Sequence, residues 1–205
     1  MTDVEIIGMP VGNYVRAIRM ACEEKGIAYT VRSAAPHSPD ILAISPVGKM
    51  PVMRHGDVGL CESRAMITYL DAAFPAVPLI PKDPVLAALT EQWISIVNTT
   101  MDRTMIRDYV LAYVIPRGPD GEPDRAAIEL ALPALRQQLG ILDEATAGVE
   151  FLVGDELTYA DINLMPILAA VRSFPEGARA IAEAPNLTTY FERLSTRPSF
   201  VKTAA

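Results

Sequence analysis

Two short segments carry residue types suited to holding a ligand. In Ser45-Pro46-Val47-Gly48-Lys49-Met50-Pro51-Val52 a proline stands at the entrance to a strand, immediately after a turn. Such a proline is often cis. A cis bond there turns the Met50 peptide so that its N–H and C=O face outward, an edge with which an extended, peptide-like ligand can pair. The plainer alternative is a simple strand start. In Glu62-Ser63 the serine looks like an N-cap, so its hydroxyl and the first free helix amides point at one spot that attracts a carboxylate. Glu62 beside it can receive an ammonium, and an α-amino acid carries both charges; here the alternative is a bare helix cap. Cys22 and Cys61 sit in apolar surroundings with neither CxxC nor metal-ligand spacing, which fits a reducing compartment and argues against a disulfide framework. His55 falls in a hairpin turn and receives no role.

These segments must be positioned by a small set of elements. Residues 4–8 read as a strand running into a turn at Gly8-Met9-Pro10, and Val15, Ile18 and Cys22 recur at helical spacing over 14–25 with Gly26 placed for a left-handed cap. Residues 28–32 resume a strand pattern, so a right-handed βαβ unit is expected. The proline-rich stretch 36–46 allows only a short helix. Residues 51–54 and 59–61 then flank a hairpin turn at 55–58, and behind Ser63 an apolar stripe of Met66, Ile67, Leu70 and Phe74 predicts a helix. The first part thus reads βαβαββα.

Phe74 to Pro84 holds four prolines in eleven positions, a stiff linker that few contacts should cross. The expected division is a first domain over 1–78, a linker over 79–84 and an all-helical domain over 85–205, an α/β plus all-α organisation. Helices are expected over 85–115, 124–147, 159–174 (kinked at Pro166) and 187–194, with a loop over 116–123.

Composition narrows the partners. Of 205 residues half are hydrophobic and 21% are charged, an ordinary globular mixture, and the net charge of −7 repels phosphate. Nucleic acid and anionic membrane are therefore poor partners. The first five residues are acidic and lack an export signal, and the longest apolar run, 162–171, is about half of what a membrane helix needs. The expectation is a soluble, cytoplasmic protein.

Taken together the chain resembles the glutathione S-transferase family, cytosolic and bacterial-like, along essentially its whole length. The element order matches that family's thioredoxin-like first domain joined to an all-helical second domain. Ser45-Pro46-x-Gly48-Lys49-x-Pro51 resembles its glutathione-backbone turn, Glu62-Ser63-Arg64-Ala65-Met66-Ile67 its γ-glutamyl segment, and Leu157-Thr158-Tyr159-Ala160-Asp161 its buried N-capping box. The resemblance implies that the Met50 backbone, ahead of Pro51, pairs with the cysteinyl part of glutathione, that Glu62 and Ser63 hold its γ-glutamyl end, and that Lys49 and His37 neighbour its glycyl carboxylate. An exposed loop histidine is the alternative for His37. Arg16 recurs in the family and is expected to be structural.

One position departs from the pattern. In the serine-type phi and theta classes a serine hydroxyl near the start of the first helix donates to the glutathione sulfur and makes it a nucleophile. That serine falls on Gly12 here, and neither cysteine can stand in for it. Three substitutes remain: the Asn13 side-chain amide, the Tyr14 hydroxyl, and the backbone amides of Gly12 and Asn13. Asn13 ranks first because it is adjacent and its amide can donate. A second substrate is expected between the domains, against the helix carrying Trp93, Val97, Met101, Met105 and Tyr109, most of that stripe being core, with Asn98, Arg103, Arg107 and Asp108 as sources of polarity whose face one sequence does not decide. The resemblance implies a homodimeric enzyme conjugating glutathione to a hydrophobic electrophile without a metal. The rivals are a glutathione-dependent isomerase or peroxidase, and a non-catalytic module resembling the stringent starvation proteins.

Overall fold

Residues 3–115 and 121–204 are described by the computed structural model. Four short strands form one sheet: β1 (Val4–Ile7), β2 (Tyr29–Arg32), β3 (Val52–His55) and β4 (Val58–Cys61), in the order β2-β1-β3-β4. β1 and β2 are parallel, as the βαβ reading requires, and β3 and β4 are antiparallel to their neighbours, joined at Gly56-Asp57. Side chains alternate across the sheet: Ile6 and Met53 join the main core, whereas Ile7 and Val52 join a smaller cluster with Ala34 and Ile41 on the other face. Each of these fully buried isoleucines contributes roughly 1.5–3 kcal/mol of burial.

Helix α1 (Asn13–Lys25) buries Val15, Ile18, Ala21 and Cys22, spaced to share one face. Gly26 ends it in the left-handed region at φ 65°, and Ile27 N donates to Cys22 O across that cap at 2.9 Å. One turn of helix, α2 (Pro39–Leu42), covers the smaller cluster, and α3 (Ser63–Ala73) returns after the hairpin with Met66, Ile67 and Leu70 buried.

The stretch after α3 is less independent than its prolines suggest. Asp71 accepts from the Leu79 and Ile80 amides, both at 2.9 Å, and from the buried Lys25 ammonium at 2.6 Å, which also reaches Val77 O. Leu79 itself is buried and its carbonyl accepts from Tyr159 N at 2.8 Å. The expectation of few crossing contacts is therefore corrected: one carboxylate pins two linker amides to the first helices, and Leu79 fastens the linker to the helical part.

The remainder of the described chain is helical. α4 (Pro84–Ile96) continues through two stretches of wider turn (Val97–Met101 and Arg103–Val110) into α5 (Leu111–Val114), making one long helix. Of the loop expected over 116–123, residues 116–120 lie outside the described residues. α6 (Arg125–Ala145) and α7 (Tyr159–Arg172) follow, then α8 (Pro175–Ala182), α9 (Pro185–Ser195) and α10 (Pro198–Lys202). α7 is the central helix: every residue from Tyr159 to Leu168 is buried, and Pro166 sits inside it without ending it. The short helices α8 and α10 were not expected, because each is marked in the sequence only by a leading proline. α10 docks on α1 through a two-pronged Arg197–Glu24 pair at 2.8 and 2.7 Å. Arg16 has the structural place expected of it, donating to Phe200 O at 3.0 Å with its guanidinium 4.0 Å from the Phe200 ring centre.

Candidate functional site

The register of the hairpin brings the first two candidate segments together. Val52 is paired with Cys61, so the residues one step outside the ladder, Pro51 and Glu62, lie at the same edge of the sheet. The Met50-Pro51 bond is cis. The β1–β3 ladder begins at Val52, which leaves the Met50 peptide beyond it. Gly48 is held at φ 68° with the His37 ring against it, where a Cβ would fall 2.1 Å from His37 Nδ1, so only glycine fits. His37 N donates to Gly48 O at 2.8 Å, placing His37 and the exposed Lys49 on one rim.

Ser63 is not the cap of α3. Glu62 occupies the N-cap position in the left-handed region, at φ 67° and ψ 116°, and Ser63 is the first residue of the helix. The cap expected from residue type is thereby displaced by one, because a turn tight enough to leave β4 and enter α3 at once needs a positive φ at the junction. For a non-glycine residue that conformation is unfavourable and concentrates at functional sites. Glu62 is exposed, whereas Ser63 is buried to 8% exposure beside Tyr159.

The Met50 side chain runs back to the start of α1. Its sulfur accepts from Met9 N at 3.2 Å, and a Cβ on Gly12 would lie 3.2 Å from Met50 Cε. Gly12 is the N-cap of α1 with ordinary angles, φ −67° and ψ 130°, and supplies no side-chain cap to the first-turn amides. Its own N–H already donates to Met9 O at 2.9 Å, which removes the Gly12 amide from the donors available to a sulfur. Asn13 Nδ2 donates to Asp102 Oδ1 at 3.4 Å, and Arg107 Nε donates to the other Asp102 oxygen at 2.9 Å. A carboxylate only accepts, so the contact fixes which end of the Asn13 amide faces Asp102, and among the described residues the second Nδ2 hydrogen has no partner. Burial first, and the Asp102 carboxylate second, push the Tyr14 phenol well up, so its proton stays in place.

Neither cysteine lies in the first turn of α1. Burial pushes the Cys22 thiol up to about 12, and Cys61 packs with the smaller cluster at the end of β4. The residue patterns did not single out Asp102 or Tyr159. Asp102 is buried to 7% exposure beside Met101 and Met105, and its only sequence signal is an acid next to the buried methionines of the helical stripe.

Most of the stripe on the long helix is core, as expected. Val97, Met101, Met105 and Tyr109 are buried core, and Asn98 accepts from Asn163 Nδ2 at 2.8 Å. A cavity of about 340 Å³ instead opens along the neighbouring face of the same helix, against α6, lined by Arg107, Asp108, Leu111, Ile115, Leu130 and Ala131 among others. Arg107 joins that cavity to Asp102 and Asn13. Arg103 is exposed and paired with Asp108. Among the described residues no cluster of His, Cys, Asp and Glu could hold a metal ion, and no helix is long and apolar enough to cross a membrane.

A four-stranded thioredoxin-like sheet followed by a helical domain, with these segments at the seam, is the architecture of a glutathione transferase. Comparison with known proteins agrees: residues 6–78 match the glutathione S-transferase N-terminal domain and residues 101–198 its C-terminal domain. The chain is 29% identical to glutathione S-transferase 3 of Zea mays over all of this chain and 95% of that one. It is 30% identical to glutathione S-transferase GstB of Escherichia coli strain K12, covering 81% of this chain and 78% of the relative. A stringent starvation protein A homolog of Haemophilus ducreyi is 27% identical over 88% of this chain and 81% of its own length. The solved structure of glutathione S-transferase III in its apo form superposes with a TM-score of 0.86 at 27% identity, covering 98% of this chain and 95% of the other. The chain belongs to the glutathione S-transferase family. Membership makes it a glutathione transferase by class, with glutathione as co-substrate.

Proposed function

We propose that this protein activates the glutathione thiol at the start of α1 and transfers it to an electrophilic, largely apolar small molecule bound in the cavity beside Arg107. The observation that carries this is the convergence of the Met50-Pro51 edge, the Glu62-Ser63 helix start and the bare N-terminus of α1 at one end of the sheet. In this arrangement the Met50 peptide pairs with the cysteinyl unit, Glu62 and Ser63 take the γ-glutamyl ammonium and carboxylate, and Lys49 with His37 faces the glycyl carboxylate. The Asn13 amide and the first-turn backbone amides, at the positive end of the α1 dipole, stabilise the thiolate in place of the family's serine. The thiol proton passes to solvent. The thiolate then forms a carbon–sulfur bond, and the electrophile either gains a carbanion that is protonated or loses its leaving group. Tyr14, kept protonated, is a neighbour of this donor set.

A homodimer in the cytoplasm, with the boundary between its two domains over 79–84, completes the proposal. Two alternatives share the fold: a glutathione-dependent isomerase or peroxidase, and a partner-binding module, the latter favoured by the stringent starvation protein A homolog among the relatives. A glutathione titration at several pH values, following thiolate ultraviolet absorbance together with melting temperature, separates them. Binding with ionisation below the pKa of the free thiol is the expected result. Binding without ionisation would remove thiol activation from the proposal, and no binding would leave the partner-binding module.

A further inference from the structure

Tyr159 is fully buried, yet among the described residues its hydroxyl has no hydrogen-bond partner. An unpaired buried hydroxyl lowers stability, and a protein that keeps one in a fixed place invites the question of what it serves. The place is fixed from three sides. Tyr159 N donates to Leu79 O at 2.8 Å, and Thr158 caps the helix while its own N–H and hydroxyl donate to Asp161 at 2.9 and 3.1 Å. Asp161 in turn accepts from the Tyr190 hydroxyl at 2.7 Å. The Tyr159 side chain is thus carried on a rigid helix start, and its phenol has Ser63 and Arg64, the first residues of α3, among its neighbours. The Ser63 hydroxyl lies beside it without completing a hydrogen bond, with Arg64 and Cys22 close by. Burial, ahead of every other influence, raises the proton affinity of this phenol, so it is available as a donor and not as an acid.

A serine hydroxyl carries one hydrogen and two lone pairs, and Ser63 is not needed to cap its own helix because Glu62 holds that position. We infer that Tyr159 is a positioning residue for ligand carboxylate binding: its phenol hydrogen goes to Ser63 Oγ, which commits the serine's own hydrogen to the cleft. The two bonds polarise one another in the same direction, phenol to serine to carboxylate, in a site where burial excludes water. The unpaired phenol is then a donor whose acceptor settles when the serine turns toward a ligand. This rests on Ser63 being the anchor for the γ-glutamyl carboxylate, and the test separates the two.

Tyr159→Phe, Ser63→Ala and the double variant of the full chain are compared by glutathione affinity, by KM for glutathione against kcat, and by melting temperature. Removing one neutral hydrogen bond weakens affinity by about fivefold. The expected result is that Tyr159→Phe raises KM for glutathione by that factor with kcat at saturation unchanged. Its melting temperature should be no lower than that of the parent, since the deleted hydroxyl had no partner, and the double variant should bind no worse than Ser63→Ala alone. Full affinity in Tyr159→Phe, or losses that add in the double variant, would overturn the positioning role while leaving the Ser63 anchor standing. If Ser63→Ala itself binds glutathione normally, the anchor fails and the inference with it. A lowered melting temperature with unchanged affinity would make Tyr159 a structural residue only.

Discussion

Asn13→Ala tests thiol activation most directly. The Asn13 amide is the side-chain donor that the structure leaves with a spare hydrogen at the start of α1, its other one being given to Asp102 at 3.4 Å. A hydrogen bond to an ionised group is worth about 1.5–3 kcal/mol. At 1.36 kcal/mol per pH unit, losing it raises the pKa of the bound thiol by about one to two pH units. For a bound thiol half ionised at neutral pH, the thiolate fraction then falls roughly fivefold to fiftyfold, and the conjugation rate at that pH falls with it. The loss is confined to pH values below the shifted pKa: once both proteins hold a full thiolate, the more basic sulfur of the variant is the slightly better nucleophile, and the rates meet or cross. Stability should barely change. Asp102 keeps Arg107 at 2.9 Å, so no buried charge is stranded, and alanine is well tolerated at the first position of a helix. The assay is the pH dependence of thiolate absorbance of bound glutathione in parent and variant, with the pH–rate profile for an electrophile beside it. An unchanged bound-thiol pKa at equal glutathione affinity would refute Asn13 as the donor and leave the first-turn backbone amides to carry the charge.

Two further outcomes follow from the geometry. Gly12→Ser should be accommodated with a shift of a few tenths of an ångström, because the backbone angles are ordinary and the new Cβ would lie 3.2 Å from both Met50 Cε, the end of a flexible side chain, and the Met9 carbonyl oxygen; the added hydroxyl should lower the bound-thiol pKa by about one pH unit, read by the same titration. In the polar knot at the head of α8, burial pushes Glu176 up but hydrogen bonds from Tyr113 and Arg125 outweigh it and hold the carboxyl at about 2. A depressed carboxyl stabilises the fold above its unfolded pKa, near 4.3, and loses that contribution as pH falls toward 2. Denaturant titrations should therefore show the stability gap between parent and Glu176→Gln flat above pH 5 and closing between about 4.5 and 2; a gap independent of pH would mean that packing and not charge is what Glu176 supplies.

By itself the sequence determined the parts whose physics is local. The βαβαββα order follows from period-two and period-three-to-four patterns, the Gly26 cap from the need for a positive φ, and the capping box from Thr158 and Asp161 three residues apart. The missing hydroxyl at Gly12 is a matter of residue identity, and no fold can supply it. Tertiary structure decided what depends on residues far apart in the chain. It moved the α3 cap from Ser63 to Glu62, because the geometry of leaving a strand and starting a helix at once outweighs the preference of serine for caps. It engaged the Gly12 amide with Met9 O and set the Asn13 amide against Asp102, 89 positions away. It buried the apolar stripe of the long helix and opened the cavity on the adjacent face, a choice between faces that periodicity leaves open. It also set a buried tyrosine from one domain beside a buried serine from the other, since burial and the pairing of polar groups are properties of the packed interior that no single segment contains.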